Sequence, residues 1–306
     1  TYSGKLSTSL NYTDLVFLKS RSGYPTIIFD RMRGDKQALN SGDDQREYTY
    51  VDQAGISLDV NNGISFNLNW YGVVNGTNTN YVSYHFKRAP GFFDIVAYTG
   101  TGATQTCNHN LGVTPELVII KNRNQKAPGS NDSSDWLCWH KDLTETNPYI
   151  FLNSSAAEGP FGGVWITPSS TGLNLGSAPS HTFYNDNGTW YISYLFATLP
   201  GISKVGSYNG SDNSTVNVPC GFTGAPRFLM IKRTDDVSSW HVWDSARGIN
   251  SGTNSYDPLL KLDTSDTEAI YGDHIDPTTS GFTVKPAATA AGLNNTNGTY
   301  IFLAIA

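Results

Sequence analysis

One junction occurs twice in this chain, at an offset of 110 residues. Residues 90–100 read PGFFDIVAYTG and residues 200–210 read PGISKVGSYNG, which share an initial Pro-Gly and a final Tyr-x-Gly. A similar aromatic strand precedes both junctions and ends the chain, at 81–86, 191–196 and 300–305. Self-similarity at a fixed period indicates a repeated unit. The sequence therefore predicts three tandem segments: residues 1–90, 91–200 and 201–306.

The pattern within each segment is typical of an all-β fold. Short apolar runs are separated by turn residues, and no amphipathic helix is evident, which predicts β-sandwich segments with a jelly-roll or Greek-key-like topology. A unit of about 110 residues can bury its own core, so each segment is expected to fold alone, as one bead of a string. The first segment resembles a copy that starts mid-repeat, because Tyr2-Ser3-Gly4 has no preceding Pro-Gly. Its first strand could lie upstream, or the copy could be truncated.

Two strands are expected to recur in every segment. An apolar run that ends in a basic residue occurs at 15–21, 117–123 and 228–233, and a run of this kind predicts a buried strand. An aromatic run follows, and in the third segment Trp240 and Val242 face one side while His241 and Trp243 face the other. We expect this strand to lie between a core and a neighbouring segment. Positive-φ turns are predicted at Asn75-Gly76, Asn187-Gly188 and Asn297-Gly298.

Charge and hydropathy disfavour two classes of partner. Charged residues make up 15% of the chain, the formal net charge is −6, and no run of Lys or Arg occurs. Nucleic-acid binding needs clustered cations, so it is not expected. No apolar run reaches the 18 residues of a membrane span, so membrane insertion is not expected either.

No catalytic or metal-binding motif is evident. Three cysteines without a CxxC pair disfavour both a disulfide framework and a zinc site, and Cys107 and Cys220 are interpreted as core thiols. No two histidines have His-x-x-x-His spacing, and neither a nucleophile elbow nor a phosphate loop is present. The acidic run Asp263–Glu268 could bind calcium or supply a glycosidase carboxylate, but we interpret it as a solvated turn. The chain is thus expected to be a non-enzyme without cofactor or metal.

Aromatic residues that break the similarity between segments are the candidate binding residues. Exposed Trp and Tyr side chains stack on sugar rings or on protein partners, although they could equally pack between segments. The candidates are Trp70, Tyr71, Trp165, Tyr256 and Tyr271.

Six motifs occur in order in the third segment. They include GAPRFLMIKRTD, WxxWDxARG, SGFTV and a closing NxxGTYIFLAIA. As a set they resemble a repeat domain of virion proteins of tailed bacteriophages, of the tail-fibre or tail-associated type. The resemblance is strong over residues 201–306, clear over 91–200, and reaches 1–90 only through the internal alignment.

The resemblance implies a non-enzymatic structural protein on the virion surface, of a tail fibre or spike. Its expected partners are other virion proteins, further copies in a homotrimer, and a host-surface glycan or receptor. Two alternatives stay open. One is a capsid decoration or head-fibre protein, and the other is a carbohydrate-binding module of a secreted polysaccharide-active enzyme.

Overall fold

The computed structural model describes residues 12–49, 56–58, 63–66, 73–124, 134–160, 166–177, 183–249, 256–270 and 272–306. Throughout these residues the fold is all-β and contains several separate sheets, as predicted. The described ranges contain no α-helix, and their single helical element is a 3-10 helix at Pro286–Ala291.

The first segment contains a five-stranded sheet in the order β4-β3-β2-β1-β7 and a separate two-stranded sheet of β5 and β6. All of its strand pairs are antiparallel. The strands are β1 (Leu15–Ser20), β2 (Thr26–Asp30), β3 (Gln37–Asn40), β4 (Tyr48–Thr49), β5 (Ile56–Ser57), β6 (Ser65–Phe66) and β7 (Tyr81–Phe86).

The second segment contains a six-stranded sheet in the order β13-β12-β11-β10-β16-β8 and a three-stranded sheet in the order β14-β15-β9. The strands are β8 (Phe93–Thr99), β9 (Gln105–Asn108), β10 (Leu117–Asn122), β11 (Trp136–His140), β12 (Pro148–Phe151), β13 (Gly159–Pro160), β14 (Ile166–Pro168), β15 (Gly172–Leu175) and β16 (Trp190–Phe196).

The third segment contains a six-stranded sheet in the order β22-β21-β20-β19-β25-β17 and a three-stranded sheet in the order β18-β24-β23. The strands are β17 (Ser203–Asn209), β18 (Val216–Pro219), β19 (Phe228–Arg233), β20 (His241–Asp244), β21 (Pro258–Lys261), β22 (Ala269–Ile270), β23 (Ile275–Thr278), β24 (Gly281–Val284) and β25 (Thr299–Ile305).

The larger sheet has the same order in all three segments. The apolar strand (β1, β10 or β19) pairs on one side with the aromatic strand (β2, β11 or β20). On its other side it pairs with the strand that closes the segment (β7, β16 or β25), here called the closing strand. The registers also correspond, since the first residue of the apolar strand lies opposite Asp30, His140 or Asp244. One difference stands out. The closing strand has a second neighbour, β8 or β17, in the second and third segments, whereas among the described residues β7 pairs only with β1.

Each larger sheet is buried on both faces. The outer face is the one toward the smaller sheet of the same segment, and it packs in a core of that segment. In the second segment, for example, Val118 and Ile120 pack in one core with Leu173 of the smaller sheet. The inner face of each larger sheet contributes to one core that all three segments share, through residues such as Phe17, Ile119 and Met230. Alternate residues of one strand thus enter different cores, because side chains of a strand point to opposite faces.

The shared core differs from the expectation of beads that fold alone. A sheet that is apolar on both faces must cover both of them, and its own smaller sheet covers only the outer face. The prediction for the aromatic strand is confirmed: Trp240 and Val242 enter the shared core, and Trp243 enters the core of the third segment. The indole N–H of Trp240 donates to the carbonyl of Phe151 in the second segment at 2.8 Å.

The repeated turn residues have a local explanation. Each Asn-Gly pair places one residue at positive φ, namely Asn75, Gly188 and Asn297, as the sequence predicts. Gly210, the last residue of the repeated junction, lies so close to another turn that an added Cβ would come within 2.2 Å of the Asn295 carbonyl oxygen. Glycine is required there by close approach of the backbone.

Candidate binding site

We call the contact surface between two segments a seam. The seam between the first and second segments contains a buried tyrosine, aspartate and arginine. The Tyr194 hydroxyl donates to the Asp30 carboxylate at 2.7 Å, and Arg33 forms a salt bridge with the same carboxylate. Arg33 also donates to the carbonyl of Ile28 at 2.9 Å. Burial raises the pKa of Tyr194 well above its usual value, so this side chain stays a hydrogen-bond donor. The carboxylate and the guanidinium therefore compensate each other inside the protein.

The seam between the first and third segments repeats this arrangement. The Tyr84 hydroxyl donates to Asp244 at 2.9 Å, and Arg247 contacts the same carboxylate at 2.5 Å. Arg247 also donates to the carbonyl of Val242 at 2.9 Å. The tyrosine of one segment thus completes an ion pair of another in both seams.

The seam between the second and third segments lacks this network. Its equivalent positions hold Leu303 in place of the tyrosine, His140 in place of the aspartate and Leu143 in place of the arginine. His140 is buried, and burial lowers its pKa to about 4, which makes the imidazole neutral at pH 7. All three positions of the network hold different residue types in this seam. It therefore has no buried carboxylate at this position that would need a tyrosine and an arginine.

A glutamate directly precedes each of the edge strands β4, β13 and β22, and its partners differ between the seams in the same way. Glu47 accepts two hydrogen bonds from Arg123 of the second segment at 2.9 Å and one from Arg33 at 3.2 Å, and Arg21 pairs with Glu268 at 2.5 Å. The equivalent Glu158 instead accepts from Thr144 of its own segment, with its closest contact at 2.5 Å. Two seams therefore contain ion pairs, whereas no ion pair joins the second and third segments in the described part of the chain.

The acidic run of the third segment is part of a seam. The carboxylate of Glu268 is buried between Arg21 and Arg247, and that of Asp263 is buried and accepts the backbone N–H of Trp240 at 3.1 Å. The interpretation of the whole run as a solvated turn is wrong for these two residues. It holds for Asp266, which is exposed and pairs with Lys261. A single sequence does not reveal the two arginines that bury Glu268.

Three buried lysines close one end of the shared core. Lys19, Lys121 and Lys232 occupy the same position of the apolar strand, and burial lowers the pKa of each to about 8. Their ammonium groups donate to backbone carbonyls: Lys232 reaches Ser155 at 3.0 Å, in the second segment, and Ser238 at 2.5 Å. The lysine near the end of each apolar strand is therefore a hydrogen-bond donor that holds neighbouring backbone in place.

A pocket of about 230 Å³ opens beside the edge of β7. Its walls are mostly apolar and come from β7, from the start of β19 and from the end of the chain; they include Val82, Tyr84, Phe86, Ile202, Phe228 and Ile305. Ile202 is 46% exposed, which is unusual for so large an apolar side chain in this protein. Pockets that bind ligands are concave and mostly apolar with a few polar groups, and Asp244 and Arg227 supply such groups here.

Of the predicted binding residues, the structure describes Tyr256 alone. Its side chain is 62% exposed, as a binding role requires. The predictions for Trp70, Tyr71, Trp165 and Tyr271 lie outside the described residues.

Trp190 is a candidate that sequence reasoning missed. It starts the closing strand of the second segment and is 58% exposed. The residues at the same register in the other segments are Asn80 and Thr299, so a tryptophan at a position that is polar in both of them was the available signal.

Among the described residues, no three His, Cys, Asp or Glu side chains form a group that could hold a metal ion. Burial raises the pKa of the Cys107 thiol to about 11, and all three cysteines are free and buried, so they lack thiolate character at pH 7. In the same part of the chain, no helix has the length and hydropathy needed to span a membrane.

One family model matches the chain, over residues 2–306, and its description is a domain of unknown function, DUF7483. No curated protein matches, and no solved structure matches.

Proposed function

Because the chain belongs to the DUF7483 family over residues 2–306, we propose a function for all three segments acting together. The chain is a non-enzymatic structural protein of a bacteriophage virion, tail fibre- or spike-like, and it binds a glycan or receptor on the host surface. It consists of three tandem β-sandwich repeats, of which the first starts mid-repeat.

The observation that carries this proposal is the shared core. Three sheets of one strand order bury their inner faces together, and every pair of segments has a seam. Such a scaffold is rigid, because separation of the segments would expose apolar faces to water. It holds loops and exposed aromatic side chains in fixed positions, and loops on a rigid scaffold are common binding elements. The motifs that resemble phage virion proteins support the proposal that this scaffold belongs to the particle surface.

Trp190 and Tyr256 are the described residues best suited to contact a sugar. Both rings are more than half exposed, and an aromatic face stacks on the apolar face of a pyranose. We expect the purified chain to bind at least one polysaccharide in a panel of lipopolysaccharides, capsules and teichoic acids. Trp190→Ala or Tyr256→Ala should weaken that binding at least fivefold. Val237→Ala is the matched control, because Val237 is also exposed and should leave binding unchanged.

The same preparation distinguishes the alternatives. Light scattering should give a trimer if the chain is part of a fibre. If the chain is a monomer that binds empty capsids and no polysaccharide, the proposal of host adhesion is wrong and capsid decoration is the better explanation. Cleavage of any polysaccharide in the panel would contradict a non-enzymatic role.

A further inference from the structure

A polar groove of about 380 Å³ lies where the second segment meets the third. Most of its walls come from β17 and β18, and β25 contributes Phe302. Lys141 and Asp142 border it from the turn that follows β11. All of its lining residues are described, and pockets of about 300–1,000 Å³ hold small organic ligands. The groove therefore suits an organic ligand larger than a single ion.

Lys204 of this groove carries a charge that the described fold does not use. At the same register of β8 the second segment has Asp94. The Asp94 carboxylate has partners, since it pairs with Arg88 and accepts the backbone N–H of Asn110 at 2.6 Å. Lys204 is half-buried, and its ammonium forms no hydrogen bond or ion pair with any described residue. This lysine is therefore available to a ligand in the groove.

Lys141 and Asn217 add further donors to the groove. The Lys141 ammonium lies 3.6 Å from the Glu116 carboxylate and 3.8 Å from that of Asp142, and both distances are longer than a hydrogen bond. The Asn217 side chain is exposed and makes no hydrogen bond within the described ranges. Two lysines and one aspartate line the groove, so its formal charge is 2 − 1 = +1. The groove thus combines an excess of positive charge with unused hydrogen-bond donors.

A small apolar surface lies beside these donors. Gly206 is paired with Phe302, and a Cβ on Gly206 would come within 2.9 Å of that aromatic ring. The second segment has Val96 and Ser193 at the same register, so the flat surface of a glycine beside an aromatic ring belongs to the third segment. Pro219 is exposed and also lines the groove. Apolar walls with a few polar groups are the usual composition of a ligand site, and the ring of a sugar offers both kinds of contact.

We propose that this groove binds a carboxylated sugar. The sugar carboxylate pairs with Lys204, and Lys141 adds a second cation at the rim. A hydroxyl group of the sugar bonds to Asn217, while one face of its ring lies on Gly206 and Pro219. The positive charge favours an acidic sugar over a neutral one, because hydrogen bonds to charged groups are the stronger kind. The inference rests on the proposed glycan binding and names the sugar class of that glycan.

Nuclear magnetic resonance of the intact, isotope-labelled chain tests the position of the site. The probes are the trimer of galacturonic acid, its methyl ester, sialyllactose and inorganic phosphate. We expect a carboxylated probe to shift the side-chain amide signal of Asn217 and the backbone signal of Ser207, and the methyl ester to bind at least tenfold more weakly. No shift at these residues with either carboxylated probe, or equal binding of trimer and ester, would overturn the proposal. Equal binding of phosphate would indicate a plain anion site and overturn it as well.

Variants of the chain test the cations. Lys204→Met keeps an unbranched side chain and removes the charge, so binding of the carboxylated probe should fall at least tenfold. The melting temperature should stay within a few degrees, because Lys204 has no ion pair to lose among the described residues. Lys141→Met should also weaken binding. Lys36→Met is the matched control, since Lys36 is exposed and lies outside the groove. Binding unchanged by Lys204→Met would overturn the proposal.

The same spectra separate this inference from glycan binding in general. Shifts around Trp190 or Tyr256 with a polysaccharide, without shifts at the groove from either carboxylated probe, would support the proposed function and overturn the groove. Shifts at the groove from a carboxylated probe, in a chain that binds no polysaccharide of the panel, would support the groove as a site for sugar acids and contradict host adhesion.

Discussion

The hydroxyl of Tyr194 lies 2.7 Å from the carboxylate of Asp30, although 164 residues separate the two in the chain. This contact joins the closing strand of the second segment to the aromatic strand of the first. The contact between Tyr84 and Asp244 joins the first segment to the third in the same way. Two of the three seams are thus fixed by a tyrosine that satisfies a buried ion pair of its neighbour.

Loss of one such hydroxyl should destabilise the whole protein. Tyr194→Phe leaves the buried Asp30 carboxylate without one donor, and loss of a hydrogen bond to a charged group costs about 1–3 kcal/mol. Urea unfolding should show that decrease for Tyr194→Phe and for Tyr84→Phe. Tyr256→Phe is the control, because that side chain is exposed and should change the stability by less than about 0.5 kcal/mol.

The shared core predicts one cooperative unfolding transition. Calorimetry of the full chain should give a calorimetric enthalpy equal to the van't Hoff enthalpy, since no segment can leave without exposing the inner faces of the others. Residues 201–306 expressed alone should bind a hydrophobic dye and lack a sharp transition, because Met230, Trp240 and Leu303 would lose their cover. Three separate transitions in the full chain would contradict the shared core.

Gly210 should tolerate no side chain. A Cβ at this position would lie 2.2 Å from the carbonyl oxygen of Asn295, so the turn must move to admit it. Gly210→Ala should lower the free energy of unfolding by at least about 2 kcal/mol, as overpacking of a tight contact does. Gly224→Ala is the matched control, because nothing lies within 4 Å of its added Cβ. Equal effects of the two substitutions would contradict the close contact between Gly210 and the carbonyl oxygen of Asn295.

The buried lysines should make stability rise with pH in the alkaline range. Folded Lys232 loses its proton near pH 8, while the unfolded residue keeps it up to about pH 10.5. The unfolded state therefore binds more protons between these values, and stability increases with pH there. The unfolding free energy of the wild type minus that of Lys232→Met should increase by about 1–2 kcal/mol from pH 7.5 to 9.5. No change in that difference would mean that Lys232 is solvated.

Asp257 should have the opposite effect in the acidic range. Its side chain is buried, and burial raises its pKa from 3.8 to about 6. The folded state holds a proton between these values that the unfolded state has lost, so stability falls as pH rises from about 4 to 6. Asp257→Asn should remove this fall, which we expect to be about 1–3 kcal/mol. Urea titrations of both proteins at several pH values provide the comparison, and parallel curves would contradict the raised pKa.

Local signals in the amino-acid sequence were sufficient to predict the strands and their order along the chain. Alternating apolar residues, the Asn-Gly turns and the repeated Tyr-x-Gly are local signals, and they place β1, β10 and β19 at equivalent positions of three similar sheets. The two-sided pattern of Trp240, Val242 and Trp243 also predicted a strand buried on both faces. These inferences succeeded because the conformation of a strand and the direction of its side chains depend on adjacent residues.

The contacts between the segments, in contrast, became evident from the three-dimensional structure. It brought Tyr194 to Asp30, placed Glu268 between Arg21 and Arg247, and gave three inner faces one core instead of three. Such contacts join residues that are far apart in the chain, and periodicity shows that a side chain is buried without showing which segment covers it. The seams are therefore properties of the whole folded chain, and the sequence of one segment does not predict them.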